Sequence, residues 1–163
     1  MRIFPKIVVL STLFATFLGS MPANAEQIYF VIKGERGEIV QFPVTDSVVA
    51  KVGTVSFMAM VPGMDDKLHS VTGPLMRDLL KAAGVEGKTA SGVALDKYEV
   101  DIPTSDFETY DVIAAIKVDG KALTVRQKGP AWIVYPSVDH PELQKNPVYE
   151  DRSIWQLKEL SIK

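Results

Sequence analysis

Short apolar stretches separated by turn residues run through the chain after its first 25 residues. Residues 28–32 and 39–42 are β-branched or aromatic and flank a glycine-containing turn at 34–37, which predicts an N-terminal β-hairpin. Residues 54–61 are apolar and end at a Pro-Gly pair, so we expect a strand there. The polar segment 62–71 that follows is predicted to be an exposed loop.

Helical periodicity is clearest between Met76 and Ala83, where apolar residues recur at i, i+3, i+4 and i+7. Gly84 follows, and a glycine can adopt the left-handed conformation that ends a helix at little cost. Thr72 or Gly73 is the expected cap. After Pro103, a shorter helix is predicted over 106–110, capped by the residues just before it.

Strand patterns return in the second half of the chain. We predict strands over 112–118, 132–135 and 154–162, and the Asp119-Gly120 pair predicts a tight hairpin turn after the first of them. Strands therefore predominate, and the helices do not alternate regularly with them. This arrangement predicts a mixed α+β domain rather than a doubly wound parallel sheet.

The N-terminus has the organisation of a secretory signal peptide. Arg2 and Lys6 precede an apolar run at 7–18, and Ala23-Asn24-Ala25 provides a small-x-small cleavage pattern. We therefore predict a signal peptide over 1–25, a single domain over 26–163 and a location in the periplasm. Removing the two basic residues leaves 16 basic against 20 acidic side chains, a net charge of about −4 that does not favour a nucleic acid as partner.

Several kinds of catalytic chemistry lack a signature in the sequence. The chain has no cysteine, so a thiol nucleophile or a thiolate metal ligand is excluded. Its two histidines, His69 and His140, do not have a metal-ligand spacing, and we predict no metal-ligand residues. Phosphate-binding and nucleophile-elbow motifs are also missing.

Spaced landmarks in the later part of the chain have the order found in a known family. They are Asp96-Lys97-Tyr98, Ile102-Pro103, Asp119-Gly120, the run from Gly129 to Pro136 and Trp155. The order "D-x-Y, I-P, D-G, G-P-x-W-I-V-x-P, W" resembles the pterin-binding domain of the sulfite-oxidase fold. The resemblance implies a single-domain, β-rich α+β fold of that type.

The resemblance also implies a pterin cofactor, but the chain departs from the family at one position. Enzymes of this fold hold molybdenum through a cysteine thiolate, and the corresponding segment here is Met58 to Gly63. A thioether is a poor ligand for a high-valent molybdenum centre. We therefore expect a binding protein for a metal-free pterin rather than an enzyme. The alternative is a molybdopterin-dependent oxidoreductase, or a subunit of one, that lacks the usual ligand.

A protein that binds a flat, polar pterin needs a ring or guanidinium against its face and polar groups at its edge. Seven residues are predicted to line the site, from the segments that resemble the family or from the exposed loop: Met60, His69, Asp96, Tyr98, Trp132, Tyr135 and Arg152.

Each of these residues also has an ordinary structural explanation. Trp132 either lines the pocket or packs on its strand, Asp96 either accepts from the pterin or caps a turn, and Arg152 either lies near a cofactor phosphate or is a loop charge. His69 is either a solvated loop residue or a ligand contact. Trp155, which lies in the predicted closing strand, is expected to be core.

Small cysteine-free secreted proteins of this kind resemble pterin-responsive regulators of membrane proteins. The implied partner is the periplasmic domain of a membrane sensor, either a cyclic-di-GMP enzyme or a sensor kinase. In that role, pterin binding must change affinity for the partner. A third possibility is an interaction module whose pocket is filled by its own side chains.

Overall fold

The computed structural model describes residues 25–35 and 39–163. The predicted signal peptide lies outside the described residues except for Ala25, as does part of the predicted first turn. The strands are β1 Ile28–Glu35, β2 Ile39–Thr45, β3 Val55–Met60, β4 Leu68–Gly73, β5 Thr89–Ala94, β6 Glu99–Pro103, β7 Ile113–Ala115, β8 Lys117–Val118, β9 Lys121–Ala122, β10 Trp132–Val134 and β11 Leu157–Ile162. The α-helices are α1 Asp46–Val52, α2 Met76–Ala83, α3 Thr104–Thr109 and α4 Pro147–Arg152.

The strands form three sheets. The largest has the order β2-β1-β11-β5-β6, and within it only the β1–β11 pair is parallel. A second sheet has the order β3-β4-β8-β9, and β7 pairs with β10 in a two-stranded ladder. None of the helices among the described residues has the length and apolar content needed to cross a bilayer.

The β7–β10 ladder lies between two apolar cores because successive side chains of a strand point to opposite faces. Ile133 and Tyr135 belong to the larger core, which also contains residues of the five-stranded sheet and of α2 and α3. Trp132 and Val134 belong to a smaller core, which also contains residues of β3, β4 and β7. Trp132 and Tyr135 therefore enter different cores, and of the two only Tyr135 reaches the larger one.

Gly73 shows how closely these layers approach one another. It ends β4 and is buried, and a Cβ atom at this position would overlap the carbonyl oxygen of Ala114 in β7. Any larger residue would therefore have to push β4 away from β7, which would disturb the ladder between the two cores.

The helix between Met76 and Ala83 is confirmed, and Gly84 ends it with a left-handed φ of 66°. Its predicted cap is wrong, because Leu75 occupies the N-cap position without a side-chain hydrogen bond. The Asp119-Gly120 hairpin turn is confirmed, with positive φ at both residues.

Three other expectations differ from the structure. The predicted loop at 62–71 contains the start of β4, because Leu68 to Gly73 pairs along the whole of β3. The predicted strand 112–118 is divided between β7 and β8. The closing strand begins only at Leu157, because Gln156 has a positive φ of 51° and interrupts the extended backbone.

Candidate functional site

The end of β3 and the segment after it form one wall of a cavity of about 210 Å³. Met60 is the last residue of β3, and the loop that follows brings further backbone and acidic side chains to the rim. The opposite wall comes from the segment after β10 and from α4. We call this space the Met60 cavity, and its lining includes Met60, Asp65, Asp66, Tyr135, Ser137, Lys145, Tyr149, Glu150 and Ser153.

Ser137 connects the two walls of the Met60 cavity. The backbone N–H of Met60 donates to the Oγ of Ser137 over 3.0 Å, although the two residues are 77 positions apart. The side-chain Nε2 of Gln144 donates to the carbonyl oxygen of Ser137 over 2.6 Å. Because Ser137 is buried, these bonds fix the end of β3 against the chain that follows β10.

Aromatic rings build the side of the cavity that faces α4. Tyr135 and Tyr149 line it with their ring centroids 5.3 Å apart, at an interplanar angle of 65°. Tyr110 packs edge-on against both rings, and its other neighbour is His140 at 4.9 Å. The Tyr149 side chain is only partly buried, so it offers aromatic surface to a flat ligand.

Behind this aromatic wall lies a buried ion pair. The hydroxyl of Tyr135 donates to Oδ2 of Asp106 over 2.8 Å, and Nη1 of Arg152 donates to the same oxygen over 2.9 Å. Helix α3 carries Asp106 and helix α4 carries Arg152, so the pair joins the two helices. Burial raises the pKa of Tyr135 above its ordinary value, and the negative charge of Asp106 raises it further. The hydroxyl therefore stays protonated and can donate its hydrogen bond.

Acidic groups dominate the charged residues of the Met60 cavity. Asp65, Asp66 and Glu150 line it with a single basic side chain, Lys145. Hydrogen bonds from His69 and Lys67 hold the pKa of Asp65 below its ordinary value, so Asp65 is charged at neutral pH. The cavity therefore has a net negative lining.

His69 anchors the loop that carries Asp65. Its Nε2 lies 2.6 Å from Oδ1 of Asp65, and its Nδ1 lies 2.8 Å from Oδ2 of Asp119 in the β8–β9 turn. The hydrogen bond to Asp119 raises the pKa of His69 above its ordinary value, and the hydrogen bond to Asp65 raises it further. The imidazole can donate to both carboxylates only when both of its nitrogens carry protons. His69 therefore holds the cavity rim rather than facing its interior.

A second cavity of about 210 Å³ lies beside the first and shares Glu150 and Ser153 with it. Asp96, Tyr98 and Trp155 line this space, which we call the Tyr98 cavity. Oδ1 of Asp96 accepts from the backbone N–H of Tyr98 over 3.0 Å, which is the turn-capping arrangement. The Tyr98 hydroxyl donates to the carbonyl oxygen of Asp151 over 3.2 Å.

The two tryptophans have the reverse of the predicted burial. Trp132 is 1% exposed, and its Nε1 donates to the carbonyl oxygen of Ser153 over 2.9 Å. Trp155 is partly buried, and Nζ of Lys128 lies 3.7 Å from its ring centroid. The rings meet edge-to-face at 6.0 Å. The expectation that Trp155 is the core tryptophan is therefore wrong.

Trp132 also borders a more open groove on the far side of the Gly63–Asp65 segment from the Met60 cavity. That groove contains three basic side chains, from Lys121, Arg126 and Lys128, and two acidic ones. Its volume is about 430 Å³. The buried indole contributes little surface there, since almost all of the ring is covered.

The structure thus distributes the seven predicted site residues over neighbouring places. Met60 and Tyr135 line the Met60 cavity, Arg152 lies behind its aromatic wall, and Asp96 and Tyr98 line the Tyr98 cavity. The sequence did not predict four residues that complete the site: Asp106, Ser137, Tyr149 and Glu150. The Asn146-Pro147 pair, a capping residue followed by proline, was the local signal for the helix that carries the last two.

No protein-family model and no curated protein matches the chain. Among solved structures, the chain is similar to the sulfane dehydrogenase SoxCD from Paracoccus pantotrophus, with a TM-score of 0.59 and 16% sequence identity. The match covers 83% of this chain and 38% of that chain. At this identity the likeness shows the fold alone, and it confirms the predicted fold class, a β-rich α+β domain of the sulfite-oxidase type.

Proposed function

We propose that this protein binds a metal-free pterin in the Met60 cavity and does not turn it over. The observation that carries the proposal is the composition of that cavity. It combines an accessible aromatic surface at Tyr149, a carboxylate at Glu150 and a thioether at Met60. Met60 lies in the segment Met58 to Gly63, which corresponds roughly to the place of the metal-binding cysteine in the resembled family. A carboxylate can accept two N–H bonds from the amino-pyrimidine edge of a pterin, while the aromatic ring stacks on its face.

The size of the cavity supports a small pterin. A volume of about 210 Å³ is below the roughly 300–1,000 Å³ typical of pockets for drug-sized ligands. A bicyclic ring with a short substituent suits such a space, whereas molybdopterin carries a third ring, a dithiolene and a phosphate. With no cysteine in the chain, the residues present do not fit a molybdenum cofactor of the usual kind.

The proposal extends to a relay of pterin availability. In it, the pterin-bound protein acts in the periplasm on the periplasmic domain of a membrane signalling protein, either a cyclic-di-GMP enzyme or a sensor kinase. The support for this step is the resemblance of the sequence to pterin-responsive regulators of membrane proteins. It requires the bound and free forms to differ in affinity for the partner, because a ligand that binds both states equally shifts neither.

Titration calorimetry with 7,8-dihydroneopterin under anaerobic conditions tests the binding step. We expect Tyr149→Leu to weaken binding by about tenfold, the equivalent of about 1.4 kcal/mol of lost stacking. Tyr98→Leu is the matched control, because the same change is then made in the Tyr98 cavity. Thermal melting checks that both variants fold.

Two outcomes would count against this assignment. Absence of binding by the wild type would defeat the pterin proposal. A loss confined to Tyr98→Leu would move the site to the Tyr98 cavity, where Asp96 and Tyr98 were predicted to bind. The relay step is checked separately, by measuring capture of the partner's periplasmic domain with and without the pterin.

The alternative function is a molybdopterin-dependent oxidoreductase, or a subunit of one, that lacks the cysteine ligand. The similarity of fold to a sulfane dehydrogenase favours keeping it as the second candidate. Elemental analysis of protein purified from its native host separates the two. Near-stoichiometric molybdenum would support the oxidoreductase, and pterin binding that is unaffected by chelator would support the metal-free binding protein.

A further inference from the structure

We infer that Asp106 is a specificity residue of the Met60 cavity and selects pterins without a phosphate. Asp106 forms an ion pair with Arg152 and so neutralises the positive charge that would otherwise attract a phosphorylated ligand. This inference rests on the proposed pterin binding and specifies which pterins the site accepts.

The geometry of the pair leaves Arg152 little freedom to serve an anion. Its Nη1 donates to Asp106 over 2.9 Å, and the side chains of Arg152 and Asp106 are 20% and 10% exposed. The guanidinium carbon also lies 5.5 Å from the Tyr149 ring centroid. The guanidinium and the carboxylate together have no net charge, and breaking such a largely covered pair is costly.

The position of the pair makes this neutralisation relevant to the ligand. Asp106 accepts a hydrogen bond from Tyr135, and Arg152 packs against Tyr149. The rings of both tyrosines line the Met60 cavity. Arg152 thus lies directly behind the surface that a pterin would contact.

The lining of the cavity acts in the same direction. Asp65 is paired with Lys67 and His69. The carboxylates of Asp66 and Glu150 still outnumber the ammonium of Lys145, so a phosphate dianion held there meets a negative field. An uncharged pterin meets no such penalty. The neutralised arginine and the acidic lining together predict discrimination against molybdopterin and other phosphorylated pterins.

The test compares two ligands that differ only by a phosphate, 7,8-dihydroneopterin and its monophosphate. At low salt, we expect the wild type to bind the monophosphate at least about tenfold more weakly. Asp106→Asn keeps the shape of the side chain but removes its charge. It should free the charge of Arg152 and reduce this ratio of affinities about tenfold, mainly by strengthening binding of the monophosphate.

Two further variants complete the design. Glu159→Gln is the matched control, because it also removes the charge of a paired acid, in this case the partner of Lys33 at 2.6 Å, and Glu159 lines neither cavity. It should leave the ratio unchanged. The double variant Asp106→Asn with Arg152→Gln preserves net charge and should retain the wild-type ratio, so it separates release of the Arg152 charge from any other effect of changing Asp106.

Three results would overturn the inference while leaving pterin binding intact. They are equal wild-type affinity for the two ligands, an unchanged ratio in folded Asp106→Asn, and a selective loss of monophosphate binding in the double variant. The first would mean that another cation, such as Lys128 in the adjoining groove, accepts the phosphate. Failure of the wild type to bind either ligand would instead defeat the proposed function itself.

Discussion

The two faces of the three-residue strand β10 contact different parts of the molecule. On one face, Trp132 and Val134 pack into a small apolar core, where the indole nitrogen bonds to a backbone carbonyl. On the other face, Ile133 enters the main core, and Tyr135 just beyond the strand ends on Asp106 at the cavity wall. One short strand therefore supports the fold with one face and the candidate site with the other.

The difference has a practical meaning for mutagenesis. Side chains on the Trp132 face have no free surface toward a ligand in the Met60 cavity, so their replacement should act on stability. Tyr135, on the other face, both packs in the main core and donates a hydrogen bond to Asp106, so its replacement should affect stability and binding together.

The largest effect is expected for Trp132→Ala. Removing a large, fully buried side chain should lower the free energy of unfolding by about 3–5 kcal/mol, because the surrounding core cannot close the space. Urea denaturation measures this change. A loss of less than about 1 kcal/mol, together with weakened pterin binding, would show that Trp132 serves the ligand and would abolish the contrast between the faces.

Trp155→Ala should cost less, about 1–2 kcal/mol, because its ring is only partly buried and its pairing with Lys128 adds a modest cation–π attraction. The same denaturation assay applies, and Trp132→Ala is its internal reference. If Trp155→Ala lowers the free energy of unfolding more than Trp132→Ala does, Trp155 and not Trp132 is the main core tryptophan.

Tyr135→Phe should destabilise the protein by about 1 kcal/mol, because the ring remains packed while the buried Asp106 loses one donor. Tyr98→Phe is the matched control, since the hydroxyl of Tyr98 is bonded at an exposed position. The two changes are compared by thermal melting and by titration with the pterin. An equal, negligible effect of both would show that the Tyr135 bond does not support the site.

The smallest effect concerns His69 and depends on pH. Because the pKa of His69 is raised in the folded protein, protonated His69 favours folding. Its contribution is complete below the unfolded pKa of about 6.5 and is lost as pH rises through the higher folded pKa. We expect the melting temperature of the wild type to fall relative to that of His69→Gln between pH 6 and 8.5. A constant difference would show that the imidazole does not hold the rim through its charge.

Local signals in the sequence accounted for the elements that depend on local chemistry. The apolar period with its terminal glycine gave α2, and the Asp-Gly pair gave the β8–β9 hairpin. Helix α1 was missed because it has only seven residues, and its N-cap Thr45 is also the last residue of β2. Its sequence, DSVVAKV, is too short to establish a helical period.

Long-range arrangement was beyond these signals. Nothing in the residues of β11 indicates that it pairs with β1 on one side and β5 on the other. The burial of Trp155 was overestimated because the left-handed residue Gln156 delays the start of the closing strand from residue 154 to Leu157, which leaves Trp155 outside the strand. Asp106 could not be recognised from the sequence, because its importance comes from a partner 46 positions away.

The parallel pairing of β1 with β11 has a consequence for how the chain becomes folded. The second strand of the central pair, residues 157–162, lies more than a hundred residues after β1 in the sequence, and it separates β1 from β5. Until the ribosome has released this strand, the hairpin of β1 and β2 and the hairpin of β5 and β6 have no common neighbour. Pairing across more than a hundred residues is slow to form, so the inner edges of β1 and β5 stay unpaired until β11 has been synthesised and has inserted between them.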